Sequence, residues 1–315
     1  MKLIEEIFAH PALVNNPPVL MDIGASTALP ENWKSIAKYS ICIAFDPDSR
    51  QMEYIEKESD YKKLYIIPKI VRETVEEETD FYLTASPECS STLEPIGGNV
   101  KNYSFAPFFE VDKELKFSAT TVMQALNDLD LSYIDWFKTD TQGTDLRIFR
   151  SISEEIRHKI ITAELEPSVI DTYNEEDKLS HIMAFMDKEP FWCSSIQVQH
   201  SRRISIEIMN KYFSPLKRKL MNTILCPAPC WAELTFFNEF ENNALGIREY
   251  LLGWIFAMEE KQYGFAIALA EKGKGKFADP IFDKLLNKSV SKINSSFWFN
   301  KKLIKKIIKK CSLFK

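Results

Sequence analysis

The sequence predicts an α/β fold: a doubly wound sheet with an antiparallel hairpin at one edge, followed by a C-terminal helical extension. Three observations predict it. Short apolar runs that end in an acid recur before residue 200, helical patterns alternate with these runs, and strand patterns cease after about residue 212. A chain of 315 residues with 45% apolar content can also bury one large core and a smaller appendage. We therefore divide the chain into three regions, residues 1–212, 213–295 and 296–315.

The first part of the chain gives three strands in succession. They are predicted at PPVLMDIG (17–24), SICIAFDPD (40–48) and KKLYIIPKIV (62–71), with a helix at PENWKSIAKY between the first two. ETVEEETDFYLTA (73–85) alternates like a strand pair that projects from the sheet. Residues 86–110 read as a loop, and KFSATTV and MQALNDL as a strand and a helix.

The second part begins with WFKTDTQGTDLRIF (136–149). Here a buried strand stops at Asp140, Gly143 breaks the extended pattern, and a helix follows. The next strand is HKIITAELEP, the next helix is EEDKLSHIMAFMDK, and FWCSSIQVQ with RRISIEIMN is predicted to form the edge hairpin. Helices are predicted beyond it at WAELTFFNEF, GIREYLLGWIFAMEE and YGFAIALAEKG.

Charge and cysteine content exclude several classes of protein. Residues 284–315 carry ten lysines and no acid, which leaves 30 basic and 45 acidic residues in 1–283, a net charge of −15. An acidic body argues against a nucleic-acid partner. Six scattered cysteines are typical of reduced thiols, and four histidines make a structural zinc site improbable, so no metal site is predicted. No run approaches the roughly 18 apolar residues of a membrane span, and the N-terminus lacks signal-peptide features. We expect a cytoplasmic protein.

Acids follow three predicted strands, at Asp22, Asp46 and Asp140. Ligands of open α/β sheets lie beyond such strand ends. The turn DIGASTALP has Gly24 as its one glycine, so it lacks the fingerprint that binds a pyrophosphate. This favours a cofactor without phosphates, such as S-adenosylmethionine. Asp22 would orient its methionine end, Gly24 and Ala25 would let the backbone approach it, and Asp46 would accept the ribose hydroxyls. The alternative is a helix-capping acid and a solvated acid.

The motifs DIGASTALPENW, AFDPD, CSSTLEP and FKTDTQGTDLRIF, in this order, resemble the FkbM family of S-adenosylmethionine-dependent O-methyltransferases. The resemblance spans roughly residues 17–200. Asp46 stands where the family usually has glutamate, and Ala28 where many members have a second glycine. The resemblance implies a Rossmann-like class I methyltransferase fold for residues 1–212. It also implies methyl transfer to a hydroxyl, expected on a sugar of a surface polysaccharide or another glycan.

The resemblance also implies roles for individual residues. Ser26 and Pro47 lie in the first two motifs and complete the predicted cofactor contacts. Asp140 and Gln142 are expected to orient the acceptor or the methionine portion of the cofactor. Ser90 and Ser91 are expected in a substrate-side loop that closes over the site, although serine-rich loops are by default solvated turns.

Lys138 lies on the same strand face as Asp140, inside a covered sheet. A buried lysine needs a partner, and we predict Glu164 on the next strand. The pair has two interpretations. It is either a structural ion pair that fixes the sheet, which we favour, or a catalytic pair that shapes the path of the proton.

Two other functions are kept open. One is a Rossmann-type enzyme that uses a dinucleotide, and the other is a non-catalytic glycan-binding or scaffolding protein that retains the fold. In the tail, residues 296–315, an apolar face lies among the six lysines between positions 301 and 310, and Phe297, Trp298 and Phe299 precede them. We expect it to bind an anionic membrane at the inner face of the cell membrane. The alternatives are a helix packed on the acidic body and a disordered tail.

Overall fold

The computed structural model describes residues 2–25, 30–47 and 60–299. Predicted cofactor residue Ser26 and tail residues 300–315 lie outside the described residues. The chain divides into two compact units. One is residues 18–241, and the other comprises the described residues of 1–17 and 242–315.

The strands are β1 (Val19–Ile23), β2 (Ile41–Phe45), β3 (Lys63–Ile67), β4 (Ile70–Val71), β5 (Glu78–Thr84), β6 (Val111–Thr120), β7 (Trp136–Thr139), β8 (Thr162–Leu165), β9 (Phe191–Ser201) and β10 (Ala228–Asn238). The helices are α1 (Lys2–Phe8), α2 (Pro11–Val14), α3 (Gly97–Val100), α4 (Val122–Asp128), α5 (Asp145–Ser151), α6 (Glu154–Arg157), α7 (Leu179–Met186), α8 (Ile206–Tyr212), α9 (Pro215–Ile224), α10 (Ile247–Glu259), α11 (Tyr263–Phe277) and α12 (Ile281–Phe299). Short 3₁₀ turns lie at Glu31–Trp33, Ala37–Tyr39, Pro87–Cys89 and Ala106–Phe109.

In the described part of the chain, the main sheet has seven strands in the order β3-β2-β1-β7-β8-β10-β9. All run parallel except β10, which is antiparallel to both of its neighbours. The first five strands along the sheet follow the 3-2-1-4-5 order of doubly wound folds. The prediction of an α/β sheet is therefore confirmed, with strand order reversing between β1 and β7.

Continuous burial explains the parallel strands. Each residue of β1 is buried, as are four of the five residues of β2, because both faces of such a sheet are covered. Asp135, just before β7, accepts a hydrogen bond from Val19 N at 2.8 Å and aligns the start of β1 with β7. This alignment brings the carboxyl ends of the two strands together.

The edge of the sheet differs from the prediction. β9 pairs with β10 rather than with RRISIEIMN, within which helix α8 begins. WAELTFFNEF, predicted as a helix, provides most of β10, so the sheet continues past the predicted boundary at residue 212. Burial of β10 alternates, as expected of a strand with two different faces. The strand pair predicted over 73–85 is wrong: the segment contains one strand, β5, which pairs with β6.

The other unit is helical, as predicted for GIREYLLGWIFAMEE and YGFAIALAEKG. Trp254 Nε1 on α10 donates to Ser289 Oγ on α12 at 2.8 Å. A Cβ at Gly273 on α11 would lie 2.2 Å from the ring of Phe282, so glycine permits the close approach of α11 and α12. No helix within the described residues is long and apolar enough to cross a membrane.

Candidate functional site

The backbones of β1 and β7 meet where the strand order reverses. Asp140 N donates to Ile23 O at 2.9 Å. Gly24 adopts a φ of +85°, and a Cβ there would lie 2.0 Å from the Asp140 carbonyl oxygen. Because neither that conformation nor that space admits a side chain, the sequence needs glycine after β1. The carboxyl ends of β1 and β7 therefore lie side by side, at the position where α/β proteins bind ligands.

A first cleft lies on the β2 side of this junction. Its lining includes Gly24, Asp46, Pro47, Ile70, Phe81 and Ser90, and it encloses about 90 Å³. Asp46 follows β2 directly and is 7% exposed. Gly24 N and Ala25 N both donate to Phe45 O, at 2.9 and 3.0 Å, which fixes the turn after β1. Of the predicted cofactor contacts, the fold therefore brings Gly24, Asp46 and Pro47 into one cleft.

Asp22 has a different place. It is 2% exposed, does not line either cleft, and accepts a hydrogen bond from Lys138 Nζ at 2.7 Å. The predicted partner of Lys138 was therefore wrong. Lys138 is in register with Asp22 on one side and Glu164 on the other, and it pairs with Asp22.

Glu164 instead accepts hydrogen bonds from Trp136 Nε1 at 2.8 Å and from Asn32 Nδ2 at 3.1 Å. Indole and amide donors thus satisfy the carboxylate that the sequence analysis had assigned to the lysine. Burial alone would lower the pKa of Lys138, but the adjacent carboxylates, Asp22 foremost, raise it above its usual value. The lysine stays charged and neutralises an acid inside the sheet.

A second cleft, of about 440 Å³, lies on the β8 side of the junction. Three of its acidic residues come from different segments of the chain: Asp140 after β7, Glu166 after β8, and Glu233 on β10. Lys138 is also in its wall. Its aromatic lining residues are Phe105, Phe108, Phe109 and Trp231. The two clefts share Gly24, Glu88, Asp140 and Gln142, so Asp140 faces both.

The loop after β7 holds Asp140 in place. Gln142 adopts a φ of +55°, uncommon for a residue with a side chain, and its Nε2 donates to Asp140 Oδ1 at 2.6 Å. Gly143 follows with a φ of +107°, and a Cβ there would lie 2.9 Å from Glu176 Cβ. This backbone is costly unless the surroundings impose it, and such positions occur often at functional sites.

Ser90 and Ser91 fasten the neighbouring loop to this one. Ser91 Oγ donates to Gln142 O at 2.8 Å and accepts from Leu93 N at 3.0 Å. Ser90 lines the first cleft, and its Oγ accepts a hydrogen bond from Thr84 N at 3.1 Å. Ser91 is fully buried, and its hydrogen bond holds the backbone of Gln142 in place. The predicted loop thus lies beside the site, with Ser91 as a structural contact.

Burial, and after it the neighbouring carboxyl groups, raises the pKa of three acidic side chains at the carboxyl ends of the strands. Burial is the main cause of the raised pKa of Asp140, while Lys138 and the Gln142 amide oppose the shift. Burial, then Asp140, raises the pKa of Asp145 to about 7. Burial also raises the pKa of Glu166 to about 9, with further contributions from Asp140, Asp145 and Glu233. Glu166 in the second cleft therefore retains its proton at neutral pH, and shifted pKa values of this kind are more frequent at functional sites than elsewhere.

Sequence reasoning missed Glu166, Glu233 and the aromatic residues that line the second cleft. Glu166 was within reach, because it lies two residues after Glu164 and so shares its strand face. Glu233 was missed because its strand was interpreted as a helix. The aromatic 3₁₀ turn Ala106–Phe109 lies in the segment predicted as a loop.

Comparison of the chain with family models, curated proteins and solved structures found no match. The resemblance to the FkbM family thus stays a prediction from motifs. Within the described residues, no group of three or more histidine, cysteine, aspartate or glutamate side chains could hold a metal ion.

Proposed function

We propose that the protein is an S-adenosylmethionine-dependent O-methyltransferase that acts on a sugar hydroxyl of a glycan. The observation that carries the proposal is the pair of clefts at the point where strand order reverses, which meet at Asp140. A methyl donor and an acceptor need two adjoining volumes with one shared wall. The antiparallel pair of β10 and β9 at the sheet edge, expected for a class I methyltransferase, also supports the proposal.

The first cleft suits the ribose portion of the cofactor, since about 90 Å³ is too small for the whole molecule. S-adenosylmethionine supplies an electrophilic methyl group when it is bound. Its ribose has two neighbouring hydroxyls, and Asp46 at the end of β2 is a carboxylate placed to accept hydrogen bonds from them. Gly24 leaves room for close approach to the backbone, and Pro47, Ile70 and Phe81 offer apolar surface. Asp22 contributes through Lys138 rather than by touching the ligand.

The second cleft suits a sugar. Sugars combine apolar ring faces with many hydroxyl donors, and this cleft combines aromatic rings with carboxyl groups. Trp231 and Phe108 are 37% and 56% exposed, which leaves surface for such a ring. Glu166 and Glu233 would accept hydrogen bonds from hydroxyls that do not react.

Asp140 and Glu88 are the two carboxylates that line both clefts, and Glu88 is exposed, so Asp140 is the proposed proton acceptor. In-line displacement requires the acceptor hydroxyl to face the methyl group and to lose its proton as the new bond forms. A raised pKa makes Asp140 a stronger base than a solvated carboxylate. Gln142 is a positioning residue that holds one carboxylate oxygen, and Lys138 stabilises the charge nearby.

Isothermal titration of the full chain with S-adenosylhomocysteine tests the proposal. Binding that Asp46→Ala weakens and Asp112→Ala leaves unchanged supports it, since Asp112 is an exposed acid on β6. Absence of binding at high micromolar concentration would refute it. Tight binding of NADH would favour a dinucleotide enzyme instead.

The second candidate is a non-catalytic glycan-binding or scaffolding protein. The aromatic and acidic lining of the second cleft favours it, because that lining does not depend on a cofactor. Glycan binding without S-adenosylhomocysteine binding would support this function. Release of S-adenosylhomocysteine from the methyl donor with a panel of monosaccharide glycosides would exclude it.

A further inference from the structure

The segment between β9 and β10 exposes an unusual amount of apolar surface. It contains α8 and α9, whose apolar side chains would be buried in most folds. Five large ones are exposed instead: Ile208 49%, Tyr212 65%, Leu216 71%, Leu220 49% and Ile224 66%. Clustered exposure of this kind marks a surface that meets a partner or a membrane.

Helical spacing gathers these side chains onto defined faces. Leu216, Leu220 and Ile224 repeat every four residues along α9, and Ile208 and Tyr212 do the same along α8. Met221 is 6% exposed, so α9 rests on the protein with a different face. The exposed apolar face is therefore not the one that anchors the helix.

The two helices form one closed insertion. Ser205 Oγ caps α8 by accepting from Ile208 N at 3.3 Å, and Pro215 occupies the first turn of α9. Arg202 Nε donates to Leu225 O at 3.4 Å and so joins the two ends of the segment. The exposed faces thus belong to a folded element.

Charge sets this segment apart from the body. Residues 202–226 contain six basic residues and one acid, Glu207, although residues 1–283 as a whole carry a net charge of −15. Lys217 and Lys219 are exposed and fall on opposite sides of the line through Leu216 and Leu220 at 100° per residue. An apolar stripe between cations is the pattern of helices that lie in a membrane interface.

We propose that α8 and α9 form an in-plane anchor on an anionic lipid bilayer. Leu216, Leu220 and Ile224 enter the boundary between headgroups and acyl chains, while the lysines contact lipid phosphates. Two copies of this face would bring like charges together, so the charge pattern favours lipid over self-association. This surface is separate from the predicted tail, residues 296–315, and does not depend on the proposed enzymatic function.

Vesicle flotation of the full chain tests the anchor. Vesicles of phosphatidylcholine with phosphatidylglycerol are expected to bind the protein at low salt, and vesicles of phosphatidylcholine alone to bind it far less. The triple variant Leu216→Ser, Leu220→Ser, Ile224→Ser is expected to lose binding by about tenfold or more. Because these side chains are exposed, its circular dichroism and melting temperature should match the parent protein. The control Val75→Ser changes an apolar side chain that is 83% exposed elsewhere and should bind normally.

A charge variant gives a second readout. Lys217→Gln with Lys219→Gln should weaken binding to anionic vesicles by about tenfold or more, since each cation near such a surface contributes about 1 kcal/mol. A full chain that does not float with anionic vesicles would overturn the proposal. So would normal flotation of the triple variant together with loss in Ile304→Ser, Ile307→Ser, Ile308→Ser, because the tail alone would then bind. Sedimentation showing a dimer that the triple variant abolishes would identify a protein interface instead.

Discussion

The two clefts share a wall at Asp140 but are built in different ways. Much of the first depends on backbone turns after β1 and β2, with Gly24 and Asp46 supplied directly by the strand ends. The second collects Phe108, Glu166 and Glu233 from distant parts of the chain, and burial together with neighbouring carboxyl groups raises the pKa of Glu166 there. Both clefts need the assembled sheet, but Gly24 and Asp46 of the first follow strand ends that the sequence marks, whereas Phe108 and Glu233 of the second carry no such mark. Substitutions in the two clefts should therefore change different properties of the protein.

The largest effect is expected at the shared wall. Asp140→Asn keeps the shape of the side chain but removes the proposed proton acceptor, so methyl transfer should slow by about 10²–10⁴-fold. Cofactor affinity should change much less. Initial rates with an active glycoside and titration with S-adenosylhomocysteine measure the two separately, with Asp112→Asn as the control. Equal losses in rate and affinity would contradict the division between the clefts.

Lys138→Met tests the ion pair beneath the wall. The change leaves the buried charge of Asp22 without its lysine, and breaking a buried pair in this way costs about 3–5 kcal/mol of the free energy of unfolding. Urea denaturation measures the loss. Combining the change with Asp22→Asn should recover part of it, whereas Glu164→Gln should not. If Glu164→Gln recovered more of the lost free energy of unfolding than Asp22→Asn, the pairing of Lys138 with Glu164 predicted from the sequence would be supported instead.

Asp46→Ala tests the first cleft alone. Loss of charge-assisted hydrogen bonds to the ribose should weaken S-adenosylmethionine binding by about 1.5–3 kcal/mol. Rates at saturating cofactor should change little, because Asp46 is absent from the lining of the second cleft. Titration calorimetry gives the affinity. An unchanged value would assign the ribose contact to another residue, with Asp48 as the next candidate.

Glu166→Gln tests the second cleft through the pH dependence of stability. The usual pKa of glutamate is 4.5, and that of Glu166 in the folded protein is about 9. Between these values the folded state binds the extra proton, so the free energy of unfolding falls as pH rises. Glutamine cannot ionise, so the variant should lose this fall and gain up to about 5 kcal/mol over the parent near pH 9, relative to their difference near pH 5.

Chemical denaturation across that pH range measures the gain. Glu77→Gln, a change at an exposed acid, is the matched control and should leave the slope unchanged. A parent protein whose stability rises from pH 5 to pH 9 by an amount that Glu166→Gln removes would contradict the raised pKa.

Much of the first cleft could be predicted from the sequence. An apolar run that ends in Asp46 or Asp140 marks the end of a buried parallel strand, and such ends meet at one edge of the sheet. Gly24 and Gly143 mark turns that other residues fit poorly. The seven-residue helix after Gly143 also begins where its spacing predicts. The strand-end acids and these glycines can be recognised in the sequence, although the close contact of Gly24 with the Asp140 carbonyl forms only in the folded sheet.

Only the tertiary structure decided the partner of Lys138 and the contents of the second cleft. Strand register offers Lys138 a carboxylate on each side, and the choice between them depends on the packing of Trp136 and Asn32 against Glu164. Predicting the place of Glu233 required β10 to be recognised as a strand. A short mixture of apolar and polar residues, however, fits the helical period and the strand period equally well. Pairing with β8 and β9, whose residues lie far away in sequence, settles that choice. Long-range hydrogen bonds and shared burial supply the energy that local pattern does not contain.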